Sequence, residues 1–93
     1  MPKACARHIL VATEAACLAL KNQIEAGTDF AIAARDNSSC PSGKQGGALG
    51  EFGPGQMVRE FDEVVFSGEV GKVLGPVKTQ FGYHLIEITS RTA

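Results

Sequence analysis

Tryptophan is absent from this sequence, tyrosine occurs once, and cysteine occurs three times in 93 residues. Cys5, Cys17 and Cys40 are odd in number and widely spaced, which argues against a disulfide framework and for a reducing compartment, the cytoplasm. Neither charge sign is in excess. Nine Lys and Arg against ten Asp and Glu leave a net charge of -1, so the field that a nonspecific nucleic-acid binder or a polybasic membrane anchor needs is missing. No apolar run reaches the roughly 18–20 residues of a membrane span, and Met1-Pro2-Lys3 leads into no signal-peptide core. Metal-ligand spacings are lacking too: there is no Cys-x-x-Cys and no His-x-x-x-His. His8, Cys40 and His84 could converge in space, but no fourth ligand accompanies them, and no metal is expected. Gly43-Lys44 lacks the hydroxyl residue and upstream glycine of a phosphate loop. Gly47, Gly50 and Gly53 follow no strong strand and open no helix, so the dinucleotide fingerprint fails as well.

What is present fits one globular domain over residues 1–93, with 44% hydrophobic and 20% charged residues. Residues 4–11 predict a strand. Ala6, His8 and Leu10 share one face and Arg7, Ile9 and Val11 the other, as in a central strand covered on both sides. Thr13 suits an N-cap, and Cys17, Leu20 and Ile24 give an amphipathic helix over 14–26 that Gly27 closes. Asp29 caps a second helix over 30–37, burying Phe30 and Ala33 or Ala34. Residues 38–56 hold six of the eleven glycines and two of the four prolines; only 48–52 could be a strand there. A loop of that length is more often functional than a mere connector. A third helix is expected over 57–67, with Met57, Phe61 and Val64 or Val65 on one stripe and Gly68 and Gly71 closing it. Pro76 restricts a strand to its start or to an edge, so the next strand is expected from Val77. It turns through 80–82 into a last strand over 83–89, with His84, Ile86 and Ile88 on one face. The order is β-α-α-β-α-β-β, an α+β domain with a mainly antiparallel sheet.

The residues alone leave several chemistries open. Cys40, before Pro41 at the mouth of the long loop, would serve as a nucleophile only with a histidine in hydrogen-bond reach and an oxyanion hole. Both histidines share strand faces with aliphatic neighbours, so the simplest account is that they and Cys40 are core polar groups satisfied by one another. Met57 and Phe61, at i and i+4 where a glycine loop meets a helix, and Phe81 in a hairpin turn hint at an apolar pocket.

Four segments in series resemble the parvulin-type peptidyl-prolyl cis–trans isomerases. They are His-Ile-Leu-Val at 8–11, Cys-Pro-Ser-Gly-Lys-x-Gly-Gly-x-Leu-Gly-Glu-Phe at 40–52, Gly-Gln-Met-Val-x-x-Phe-Asp at 55–62, and Gly-Pro-Val-x-Thr-x-Phe-Gly-Tyr-His-Leu-Ile at 75–86. The resemblance covers essentially the whole chain and is to the minimal, single-domain bacterial members. It implies a parvulin-like (FKBP-like) four-stranded sheet surrounded by helices. It also implies a catalytic set of His8, Cys40, Thr79 and His84, with the two imidazoles bonded to each other and Thr79 bonded into their network. Leu49, Met57 and Phe61 would wall the pocket for the substrate proline ring, with Phe81 on its rim. The phosphate-directed branch carries serine at the Phe81 position and a basic cluster after the first strand. Here Ala12-Thr13-Glu14 leads directly into a helix, so selectivity for phosphorylated residues before proline is not expected. The resemblance further implies proline-containing peptides and unfolded protein segments as partners, no nucleic acid or membrane partner, a monomer, and no cofactor. A proline-peptide binding or chaperone module would share every apolar residue named. The isomerase reading requires a concavity beside Cys40 that exposes Met57 and Phe61.

Overall fold

The computed structural model describes residues 3–92; Met1 and Pro2, part of the stretch expected to hold no leader, lie outside the described residues. Its elements are β1 (Lys3–Val11), α1 (Glu14–Glu25), α2 (Phe30–Asn37), a 3-10 turn (Pro41–Gln45), β2 (Ala48–Phe52), α3 (Arg59–Ser67), β3 (Val73–Thr79) and β4 (Gly82–Thr92). The strands form one antiparallel sheet in the order β2-β1-β4-β3. β1 is therefore central, and both of its faces are covered.

One layer buries Ile9, Val11 and Leu85 of the sheet under Cys17 and Leu20 of α1 and Phe30, Ala33 and Ala34 of α2. The other packs Ala4, Ala6, Phe52 and Ile86 against Phe61 and Val65 of α3. The caps are the expected ones: the Thr13 hydroxyl accepts from the Ala16 amide, and the Asp29 carboxylate accepts from the Ala31 amide. The three cysteines are unpaired, and no helix among the described residues is long and apolar enough to cross a membrane.

Three boundaries differ from expectation. β3 begins at Val73, not Val77, and carries Pro76 within it. The strand lies at the sheet edge, and the ladder shifts register between Leu74 and Val77, so no partner awaits the proline's missing N–H. The carbonyl of Gly75 accepts from Lys21 Nζ at 2.9 Å instead. α3 begins at Arg59, because Val58 is extended (φ -60°, ψ 151°) as its N-cap. Met57 thus belongs to the preceding turn and not to the helical stripe. β4 runs from Gly82 to Thr92, beyond the expected 83–89; its added end pairs with Lys3, Ala4 and Cys5 of β1, and Arg91 Nη1 donates to the carbonyls of Val65 and Gly68 at the end of α3.

Candidate active site

Strand register brings the two histidines together. His8 stands opposite Ile86 and His84 opposite Leu10, so the imidazoles are diagonal neighbours on one face of adjacent central strands. Their Nδ1 atoms are 3.1 Å apart and their rings stack with centroids 5.3 Å apart. Phe61 packs edge-on against both, at 5.6 Å from His8 and 5.9 Å from His84. Val77 faces His84 across the β3–β4 ladder, which places Thr79 diagonally beside it, and Thr79 Oγ1 lies 2.8 Å from His84 Nε2.

At the far end of the pair, His8 Nε2 lies 3.1 Å from Ser42 Oγ, and the Ser42 hydroxyl donates to Cys40 Sγ at 3.3 Å. With Ser42 donating, its oxygen accepts from His8 Nε2–H. His8 Nδ1 then accepts from His84 Nδ1–H, and His84 Nε2 accepts from the Thr79 hydroxyl, whose oxygen in turn accepts the Phe81 amide. Every donor in this file points the same way, from the Phe81 amide to the sulfur, and it requires both imidazoles neutral. Burial holds both below the usual histidine range; His8 is pushed down to about 4, first by burial and then by the neighbouring His84. Ser42 carries the middle of this file and has no counterpart among the residues singled out from the sequence. A Ser two residues after Cys40 is an ordinary turn residue in sequence; only the path of the 3-10 turn brings it over His8.

Above this floor opens a cavity of about 400 Å³. His8, Cys40, Leu49, Met57, Phe61, Phe81 and His84 all line it, so seven of the eight expected site residues meet at one concavity. Thr79 is the eighth; it is absent from the cavity lining and is bonded to His84. Leu10, Ser39, Pro41 and Val58 complete the wall. Phe61 is only 3% exposed, yet it forms part of the cavity surface; Met57 is half-buried. Phe81 is 61% exposed at the rim. Among the described residues, no Lys, Arg, Asp or Glu lines the cavity, and no group of three metal-ligating side chains is assembled. Lys44, the cation of the long loop, is exposed.

The tightest approach of the long loop to the sheet is at His8. The Gly47 carbonyl accepts from the His8 amide at 3.0 Å, and a Cβ on Gly47 would lie 2.3 Å from the His8 carbonyl oxygen at a backbone φ of +83°. Only glycine lets the loop cross β1 at the residue that bears the imidazole.

An apolar hollow over neutral, hydrogen-bonded histidines on an antiparallel sheet defines an isomerase site of the parvulin kind. Residues 7–90 match the rotamase family described as the PPIC-type PPIase domain, and the chain belongs to that family. It is 44% identical over 91 residues to the foldase protein PrsA 4 of Bacillus cereus, covering 97% of this chain and 32% of that protein. The chain therefore spans about a third of the length of the curated relatives it resembles in this way. The crystal structure of the peptidylprolyl isomerase PrsA from Bacillus cereus superposes with a TM-score of 0.92 at 43% identity, over 99% of this chain and 36% of that one. The solution structure of NmPin, the parvulin of Nitrosopumilus maritimus, gives a TM-score of 0.87 at 35% identity and is matched over 98% of its own length.

Proposed function

We propose that this chain accelerates cis–trans rotation about X–Pro bonds in peptides and unfolded protein segments by a non-covalent mechanism. The uncatalysed rotation takes tens to hundreds of seconds because the amide resists twisting. The planar amide carries charge separated by resonance and the twisted form carries less, so water favours the ground state. Leu49, Met57 and Phe61 form a wall that withholds this solvation from a bound proline. Only such differential binding raises the rate. A thousandfold gain needs about 4 kcal/mol, within the scope of desolvation plus one or two hydrogen bonds. No bond is cleaved and no electron moves, so the reaction calls for neither cofactor nor metal.

The observation that carries this reading is the uncharged cavity of about 400 Å³ seated on the histidine pair. It also supports the substrate class: with Phe81 on the rim and no cation in the wall, apolar residues before proline are favoured over acidic or phosphorylated ones. The odd, widely spaced cysteines support action in a reducing compartment, the near-balanced charge supports neither nucleic acid nor membrane as partner, and the resemblance to single-domain parvulins supports a monomer. A second reading, binding of extended proline segments without turnover, is favoured by relatives described as a foldase, PrsA, and a chaperone, SurA.

Exchange NMR with a catalytic amount of the chain decides between them, using Xaa-Pro peptides that differ only at Xaa. We expect cis–trans exchange to quicken at least about 100-fold, a barrier reduction of about 3 kcal/mol, with Leu ahead of Glu before proline. Shift changes around Met57 and Phe81 without faster exchange would make the chain a binder. A strong preference for Glu would overturn the substrate class.

A further inference from the structure

We infer that Asp62 and Gln56 are positioning residues that hold the Met57 wall of the cavity in register with its Phe61 floor. The inference rests on the isomerase reading for its consequence, but the brace itself is geometric. Met57 lies outside α3, so helical hydrogen bonds do not fix it. Nor does a side-chain cap fix the helix start, because the N-cap is Val58, whose side chain lines the cavity. What places Met57 is the turn before it.

Gly53-Pro54-Gly55-Gln56 has proline at the second position and glycine at the third with φ +86°, and the Gln56 amide reaches the Gly53 carbonyl at 3.4 Å; this is a type II turn. Two side chains brace it. Gln56 Oε1 accepts the amide of Gly53, a buried residue, at 2.9 Å. The Gly55 amide donates to both carboxylate oxygens of Asp62, each at 3.2 Å. Asp62 follows Phe61 directly. One short stretch of α3 thus presents the aromatic floor inward and, about 100° round the helix, the carboxylate that ties down the loop carrying the wall. The distance between floor and wall sets the width of a slot for a flat ring, so releasing the tie is felt first in binding. This gives the Gln and Asp of the segment Gly-Gln-Met-Val-x-x-Phe-Asp a task that the pocket residues themselves leave unassigned.

The test uses the 93-residue chain, Met methyl NMR, and exchange NMR with acetyl-Ala-Leu-Pro-Ala-amide. Asp62→Ala is expected to move the Met57 methyl signal toward the position of a mobile methionine and to raise the peptide Kd about fivefold. The exchange rate at saturating peptide should stay within about twofold, since the reacting groups are untouched. Asp62→Asn retains an acceptor for the Gly55 amide and should recover both readouts. An unmoved Met57 signal with wild-type Kd in Asp62→Ala, or an Asn variant no better than Ala, overturns the inference. Should Asp62→Ala not fold, Gln56→Ala at an exposed position removes only the Gly53 bond; a smaller displacement of the same signal supports the brace, and none overturns it. If the wild-type chain neither binds nor turns over the peptide, the isomerase reading fails, while the Met57 signal still decides the brace.

Discussion

Cys40 stands at one end of a hydrogen-bonded file whose other end is the Phe81 amide, and its surroundings fix what it can do. The Ser42 hydroxyl lies between the sulfur and the nearest imidazole, with His8 Nε2 bonded to Ser42. A nucleophilic thiol needs its base within direct reach, and X–Pro rotation offers no leaving group. We therefore propose Cys40 as a polarisable neighbour for the substrate carbonyl and not as a covalent catalyst. Replacing it by Ala removes one weak bond to sulfur, about 1 kcal/mol, so Cys40→Ala should keep isomerase activity within about tenfold of wild type. Complete loss of activity in a variant with an unchanged cooperative melt would contradict this assignment. Cys17 differs in kind: it is buried in the opposite layer, where burial pushes its thiol up to about 11, and it has no part in the site.

At the scale of elements, the parts readable in the sequence are those set by local periodicity. Alternation placed His8 with Ala6 and His84 with Ile86, and the register of β1 against β4 turned those two faces into one floor. Capping residues located α1 and α2. What the sequence left hidden depends on where chains cross. Ser42 bonds to His8 only because the 3-10 turn passes over β1. Met57 keeps the i, i+4 spacing of a helix although the backbone at Val58 is extended, so spacing joined it to α3 when a braced turn holds it. Pro76 allowed either a strand start or an edge strand, and the expected start at Val77 took the first option where the sheet order makes β3 an edge. Gly47 is the crossing with the sharpest test. Gly47→Ala must either move the loop off β1 or strain a left-handed residue against the His8 carbonyl, at about 2–4 kcal/mol. For a domain of this size that lowers the melting temperature by roughly 10 °C or more. A thermal melt within a degree or two of wild type would show that the approach is not required.

For the molecule as a whole, the same sheet serves two layers with different tasks: α1 and α2 cover an apolar face, while α3 and the glycine loop cover the face that bears the buried imidazoles. The second layer gives the fold a pH dependence. His8 has its folded value depressed to about 4 from an unfolded 6.5, and His84 is depressed in the same sense. The native state therefore resists protonation that the unfolded chain accepts. Stability from this source is complete above about pH 6.5 and is lost as pH falls toward 4, where folded His8 itself titrates. Protonating His8 puts hydrogens on both facing Nδ1 atoms and breaks the file at its centre, whereas protonating His84 puts one on Nε2 and breaks it at the Thr79 hydroxyl. Between pH 7 and pH 5, His8 alone should cost about 2 kcal/mol of unfolding free energy. Urea denaturation at the two pH values measures it directly, and imidazole nitrogen shifts identify the groups responsible. Equal midpoints at pH 7 and pH 5, or a folded His8 that titrates near 6.5, would mean that the pair is not held neutral and that the one-way arrangement of donors does not exist.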